Sequence, residues 1–513
     1  MKKITLYTIL FLSTLCLLPG CDSGFEEINT NKTLPIALDP AFLMNNAIIN
    51  TSMPIETMIF ELPIVQQIIT PNGGVLGGGN YNQDNKARNQ GNWVRYYQVV
   101  LKSLVDAMNT TKEDATRANL YHSARIMRAY AAMLLTDSYG DVPYFTAGSA
   151  YIDGTTLPVF DSQESIYKDV LKELEEASAA LDATKPLNTS DVLYGGNIPR
   201  WKAFGYSLML RAAMRLSKVD PTLAQQFVGK AIAGGVIQNN IGSAVIRHTT
   251  LYTNAVSSAL NGSEANNYYL TKPFVDFLYK NGVGTDPRLK SIAVRYVGAK
   301  SGPEQTASRA NIDPTVQTGM PMGYDNGTII PVAAAAGLAS FYDYSQLDRT
   351  RMGSLAVPLF LVSHAQTKLL LAEARFRGWI TTGPVAADLY AEAIRAHMND
   401  MALYSTASAI APAAIDAYLS VPNNQLTVGF ELRDINQQYW IASFLNSPET
   451  FANLRRSGFP VLTPNPYPGK DVVEIRKLTY PDSEYAINTT NLNAAVARQG
   501  GDKLNTRVWW DKP

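Results

Sequence analysis

Apolar side chains recur along this chain three or four residues apart, stripe after stripe, and that spacing belongs to one face of an α-helix. Trp93, Tyr97, Val100, Leu104 and Met108 form one stripe, and Leu120, Ala124, Met127, Ala131 and Leu134 form the next. Ile166, Val170, Leu174, Ala177 and Leu181 continue the pattern, then Trp201, Phe204, Leu208 and Ala212. A shorter helix follows Asp220-Pro221 and stops at Gly234-Gly235, a start and a stop signal in the expected places. An apolar stripe has to be buried against another element, so a run of them predicts a body of helix packed on helix.

The clearest pair comes later. Val362, Ala365, Leu369, Ala372 and Phe376 make one stripe, a turn follows at Gly378 and Thr381-Thr382-Gly383-Pro384, and Leu389, Ala393, Ile394, His397 and Met401 make another. Short turns between such stripes imply antiparallel neighbours. The Ala-rich faces suggest tetratricopeptide-like hairpins, although no strict period of about 34 residues is present. The expected fold is therefore mainly α: a helical-repeat body with long irregular loops and few short strands.

Both cysteines, Cys16 and Cys21, lie at the N-terminus, so no disulfide framework holds the body. A chain of 513 residues can bury enough apolar surface to do without one. Lys2 and Lys3 precede an uncharged apolar stretch from Ile4 to Leu18, shorter than the ~20 residues that span a bilayer. Residues 1–20 read as a signal peptide. Leu18-Pro19-Gly20-Cys21 resembles the lipobox of bacterial lipoproteins, which makes Cys21 the lipidated first residue, residues 21–40 a tether, and 41–513 a single domain. The competing reading is a soluble secreted protein with a chance cysteine at the cleavage point. Acyl chains contribute ~0.8 kcal/mol per buried methylene, so several on one cysteine form a stable anchor.

Lys and Arg number 44 and Asp and Glu number 44, with no dense basic run, which argues against nucleic acid as a partner. Hydrolase machinery is missing too. The sequence holds no G-x-S-x-G elbow, no H-E-x-x-H and no G-x-x-x-x-G-K-[ST] loop. Gly282-Val283-Gly284 begins like a dinucleotide fingerprint, but Pro287 stands where the third glycine belongs. His122, His248, His364 and His397 are far apart in sequence, and three of them sit inside helical patterns as core-edge or surface residues. No catalysis and no cofactor are expected. No D-x-D-x-D-G loop indicates calcium, although scattered oxygen ligands leave a structural ion open.

Three long irregular stretches, 71–92, 242–269 and 298–344, are where ligand contact is expected, because compact domains seldom carry such loops without a function. From about residue 460 onward, Pro, Gly and Asn predict extended chain and turns laid over the helices.

A set of motifs then becomes specific. Leu135-Thr136-Asp137-Ser138-Tyr139-Gly140-Asp141-Val142-Pro143-Tyr144, closing a helix, resembles a hallmark of the SusD/RagB family of nutrient-binding outer-membrane lipoproteins. In the expected order stand Phe25-Glu26-Glu27-Ile28-Asn29-Thr30-Asn31, Trp201 through Arg215, Asp286-Pro287-Arg288-Leu289, and Ala372-Glu373-Ala374 with Arg377-Gly378-Trp379. Arg455-Arg456-Ser457-Gly458-Phe459-Pro460 and Tyr480-Pro481-Asp482-Ser483-Glu484 complete the series. Lys32-Thr33 and Arg476-Lys477 depart slightly from the family pattern. The resemblance implies a SusD-like α/α superhelix of four tetratricopeptide-like units with a loop-rich ligand face. It also implies a glycan or peptide ligand, attachment to the outer membrane facing the cell exterior, and a TonB-dependent SusC-like transporter over which the protein acts as a hinged lid.

A neutral glycan offers apolar ring faces edged by hydroxyls, so its reader is expected to be an aromatic platform beside Asn, Asp, Gln or Arg. The loops offer Tyr81 with Asn82, Tyr252 with Asn254, and Tyr268 and Tyr269 beside Asn266 and Asn267. They also offer Tyr324 with Asp325, and Phe341, Tyr342 and Tyr344 around Asp343. With 27 tyrosines in the chain, the competing reading for any one of them is a ring that packs its loop onto the body. Three function classes remain: a glycan receptor for a transporter, the same architecture binding peptides, and a helical scaffold that binds only protein. Cys21→Ala is expected to abolish incorporation of radioactive palmitate; labelling that survives the change overturns the lipobox assignment.

Overall fold

Local signals and apolar stripes agree along most of the chain. The computed structural model describes residues 38–73, 83–463 and 473–513; the expected signal peptide, Cys21, nearly all of the expected tether, and Tyr81 and Asn82 lie outside the described residues. The principal helices are α1 (Pro40–Asn50), α2 (Glu56–Ile64), α3 (Lys102–Thr111), α4 (Ala118–Tyr139), α5 (Gln163–Ala180), α6 (Ile198–Arg215) and α7 (Pro221–Gly234). After the loop region come α8 (His364–Phe376), α9 (Ala386–Tyr404), α10 (Glu431–Ala442) and α11 (Ser447–Ser457). Ser162, Asn197 and Asp220 cap α5, α6 and α7 by accepting backbone N–H bonds, and Ser363 with Gln366 forms a full capping box on α8. Gly235 and Gly458, both at positive φ, end α7 and α11. Among the described residues no helix is long and apolar enough to cross a membrane.

Four helix pairs stack in chain order: α1 on α3, α4 on α5, α6 on α7, and α8 on α9. Each pair also meets the next, through α3 with α4, α5 with α6, and α6 with α8, so the stripes merge into one core that contains Trp93, Leu120, Trp201, Leu369 and Ile394. The faces come very close where α5 crosses α6. A Cβ at Gly205 would lie 2.0 Å from the Ser178 hydroxyl oxygen, so only glycine permits that spacing.

A chain of buried ions runs through this core. Asp137 on α4 accepts from Tyr167 (2.5 Å), the Trp510 indole (2.9 Å) and Arg215 Nε (3.2 Å). Arg215 in turn donates to Glu449 on α11 at 2.7 Å, and Tyr439 on α10 donates to the other oxygen of the same carboxylate at 2.8 Å. Next to it, Arg456 grips both oxygens of Glu373 at 2.7 Å, and Arg377 adds a third arm. Burial opposes ionisation of Glu373, but the two guanidinium groups outweigh it and hold the carboxyl down to about 2.

Strands are short and sit in the loop region. Ala244–Ile246 pairs with Leu359–Val362, Ile68–Ile69 with Tyr269–Leu270, and Ala293–Tyr296 lies between Ala310–Asn311 and Gln346–Leu347, every pair antiparallel. Three smaller apolar clusters lie here beside the main core. Stretches 242–269 and 298–344 are therefore ordered by brief strands and by the short helices Ala255–Leu260 and Ile329–Ala335.

The expectation of an extended tail beyond residue 460 needs correction. Asp482–Ile487 and Thr489–Gln499 are helical, and the second buries Leu492 and Ala495, a one-turn stripe masked in the sequence by the surrounding Asn and Gly. Gly500 then terminates it at positive φ.

Asp400 on α9 is almost fully buried and accepts from Asn240 Nδ2 at 2.7 Å, while its other oxygen has no partner among the described residues. Burial pushes its carboxyl up to about 8, opposed only by the Asn240 bond. The folded chain holds this proton more tightly than the unfolded chain, whose carboxyl titrates near ~3.9. Its contribution to stability is therefore full below that value and is lost as pH rises toward 8, at up to about 1.4 kcal/mol per pH unit. Asp400→Asn is expected to melt with wild type near pH 4 and clearly above it near pH 8; parallel melting curves at all pH values would show that the group ionises normally.

Candidate ligand site

The aromatic loop residues resolve into two groups once their partners are known. Tyr252, Asn254, Tyr268 and Tyr344 hold loops in place. Tyr252 donates to the Ile49 carbonyl at 2.5 Å and stacks on His248, tying its turn to α1. Asn254 caps Ala255–Leu260 by accepting from Ser257 N at 3.0 Å. Tyr268 is 3% exposed and packs within a cluster that includes Leu260, Phe274 and Trp440, and Tyr344 is 1% exposed. Burial, with the Tyr324 phenol beside it, pushes the Tyr344 hydroxyl up to about 12.

Tyr324, Phe341 and Tyr342 form the other group, all half-buried on the small clusters beneath them. The chain leaves Ile329–Ala335, turns at Gly337 with φ +72°, and enters a single 3₁₀ turn, Phe341–Asp343, capped by Ser340. Asp343 is the anchor. Its carboxylate is 2% exposed and accepts from Arg295 Nε (2.9 Å), Gly298 N (3.0 Å) and Ala339 N (3.1 Å). Arg295 reaches on to the Val316 carbonyl at 2.7 Å, so one acid binds the central strand, the 298 turn, the 316 loop and the 339–343 segment together. Ser340 Oγ donates to Ala299 O, and Gln305 Nε2 donates to the Tyr342 carbonyl at 2.8 Å.

The two rings that this anchor presents are stacked, with centroids 4.2 Å apart and planes 29° apart, and Phe341 meets Tyr269 edge-on at 6.3 Å. Phe341 and Tyr324 lean on the cluster of Met320, Met322, Ile329 and Tyr344, and Tyr342 leans on that of Val294, Tyr296 and Ala299. Asp325 fixes the neighbouring turn by accepting from Gly327 N and Thr328 N at 2.9 and 2.7 Å. The result is an aromatic step on a rigid, hydrogen-bonded module, capable of stacking and of edge hydrogen bonds. Of its supports, Tyr269 is among the aromatic loop candidates, but Arg295 and Gln305 carry no local signal in the sequence, since Arg295 and Asp343 stand 48 residues apart. Among the described residues no group of three or more His, Cys, Asp or Glu side chains is placed to hold a metal ion.

Residues 31–481 match the SusD-like family described as "Starch-binding associating with outer membrane". The chain belongs to the SusD-like family. A chitin-binding protein of solved structure is 28% identical, with a TM-score of 0.79 over 92% of this chain and 100% of its own. A SusD-like protein from Bacteroidetes AC2a is 26% identical, with a TM-score of 0.78 over 93% of this chain and 100% of its own. A chitin-binding SusD homolog from Flavobacterium johnsoniae, at 24% identity and a TM-score of 0.72 over 92% of this chain and 98% of its own, shows the same fold. No curated protein matches. The expected SusD-like helical architecture is thus the observed one, and the members of this family are binding proteins.

The Tyr268 hydroxyl is buried without a partner among the described residues, which penalises the fold by the desolvation of one group. Tyr268→Phe in this SusD-like chain is expected to keep or raise the melting temperature by a few degrees and to leave ligand affinity unchanged. A loss of affinity on calorimetric titration would return Tyr268 to the ligand face.

Proposed function

We propose that this chain is a lipid-anchored receptor on the exterior of the outer membrane that captures a neutral oligosaccharide and passes it to a TonB-dependent SusC-like transporter, with no covalent chemistry of its own. The observation that carries this reading is the pre-organised Phe341–Tyr342 step with Tyr324 beside it. Rings already stacked and pinned through Asp343 lose little freedom on binding, so more of the contact energy becomes affinity. A pyranose presents a C–H face to such rings and hydroxyls to the polar atoms around them. Two of the structural neighbours bind chitin, which makes chitin oligosaccharides the first ligands to try.

The anchor belongs to the same reading. Removal of residues 1–20 leaves Cys21 to carry the acyl chains, the tether to about residue 40 gives reach, and 41–513 folds as the receptor. Tethering over a pore raises the local concentration of captured solute there. Closure of the pair would commit the solute to transport.

Alanine at Tyr324, Phe341 and Tyr342 together is expected to weaken binding of chitohexaose by roughly ten-fold or more in calorimetric titration, with the melting temperature nearly unchanged. A triple variant that unfolds would make these rings structural. Wild-type protein that binds peptides and none of a panel of oligosaccharides would replace the sugar by a peptide in the same role.

A further inference from the structure

The helical stretch from Gly91 to Thr111 is not regular: Tyr96–Leu101 is wound as a π-helix between α-helical Gly91–Arg95 and α3. Such turns are rare and gather at functional sites. Beside this one opens a hollow of about 410 Å³, within the roughly 300–1,000 Å³ of small-molecule pockets. Its apolar lining comes from Trp93, Tyr97, Pro143 and Pro158, and its polar lining from Gln98, Thr155, Thr156 and Ser483. Leu157 and Ile487 also line it and are 50% and 70% exposed among the described residues.

The hollow is held open by specific contacts. Tyr97 donates to the Pro143 carbonyl at 2.7 Å, and the Trp93 indole donates to Glu484 Oε1 at 3.2 Å. Gly148, at φ +81°, lets the 143–158 loop press against the π-turn, for a Cβ there would lie 3.3 Å from the Leu101 carbonyl oxygen. The chemistry around the space is selective. Among the described residues Glu484 is the one acid in the lining and no base accompanies it, which disfavours an anion, while hydroxyl and amide groups and a carboxylate with acceptor capacity suit a neutral polyol. Across the ridge formed by the exposed Val94 and Gln98 lies a second hollow of about 410 Å³, lined by Asn50, Glu56, Gln90 and Arg95, into which a longer ligand could continue.

From this geometry we infer a second glycan subsite in the hollow between Trp93, Tyr97 and the 143–158 loop, taking one ring of a neutral oligosaccharide, with Gln98 as the hydrogen-bonding residue on the ridge. The inference shares the ligand class of the receptor reading above but none of its residues. The test uses full-length folded protein with isoleucine methyl labels, in which Ile487 reports on this hollow and Ile312, packed on the same small cluster as Tyr342, reports on the aromatic step. Chitobiose and maltose, each titrated into the millimolar range, are the probes.

The Ile487 methyl is expected to shift saturably in wild type and equally in a Phe341→Ala, Tyr342→Ala variant, and to need about five-fold more sugar in Gln98→Ala and Leu157→Ala. Both of those side chains are exposed, so the fold is not at stake. Movement of Ile312 without movement of Ile487 overturns the second subsite and leaves the receptor reading intact. If neither moves, the sugar class fails for both. An Ile487 shift that is indifferent to Gln98→Ala and Leu157→Ala places the sugar outside the hollow and also overturns the inference.

Discussion

The architecture depends on the buried ion chain that links Asp137, Arg215 and Glu449. Removing one member of such a chain leaves an uncompensated charge in the core, at a cost of about 3–5 kcal/mol, so its partners have to arrive together or not at all. Those partners come from α4, α5, α6, α10 and α11 and from Trp510 near the end of the chain. A stack of helix pairs joined only by apolar stripes could slide by a turn with little penalty. A stack with guanidinium groups aimed at particular carboxylates cannot. The closing segment and α11 make the lock more complete: Leu478 N donates to Ser138 O and Tyr480 OH to Asp141 O, while Arg455 of α11 donates to Asp137 O, all around the end of α4. Gly140, at φ +86° and with Gln499 Oε1 only 1.9 Å from where a Cβ would sit, lets the chain leave α4 at that crowded point.

The same device appears in miniature at Asp343. The loop module around it has only small apolar clusters to stand on, too few side chains to fix a 3₁₀ turn by packing alone. A buried carboxylate with three donors supplies the missing specification, because each donor left unmade would strand a desolvated oxygen. Rigid body and rigid step are therefore produced by one principle at two scales. What differs is exposure: the ions of the body are sealed, whereas Asp343 holds two rings that remain half open to solvent.

Much of the body could be read from the sequence because helix stripes and caps are local. Asp220-Pro221 and Gly234-Gly235 bracket α7 where expected, and the two stripes around Gly378 became α8 and α9. The helix at Thr489–Gln499 was hidden because only Leu492 and Ala495 are buried along it, too short a stripe to stand out among Asn and Gly. The site was legible only as a shortlist. Aromatic residues next to Asn or Asp are found equally where a ring packs a loop, as Tyr268 does, and where a ring is presented, as Tyr342 is; the difference lies in distant partners such as Arg295 and Gln305.

This division explains why the motifs that identify the family say so little about the ligand. Asp137, Tyr139, Arg211, Arg215, Asp286, Arg288, Glu373, Arg455, Arg456 and Tyr480 are all buried, and their hydrogen bonds go to other groups of the interior. They report on how the helices are locked. The Phe341–Tyr342 module stands on its own small clusters, so its rings can change without disturbing a single member of the ion chain. Two chains with the same interior signature can therefore differ in the solute they take, and under the proposed reading that difference lies in surface residues such as Tyr324, Phe341 and Tyr342 rather than in the buried ions that reveal the fold.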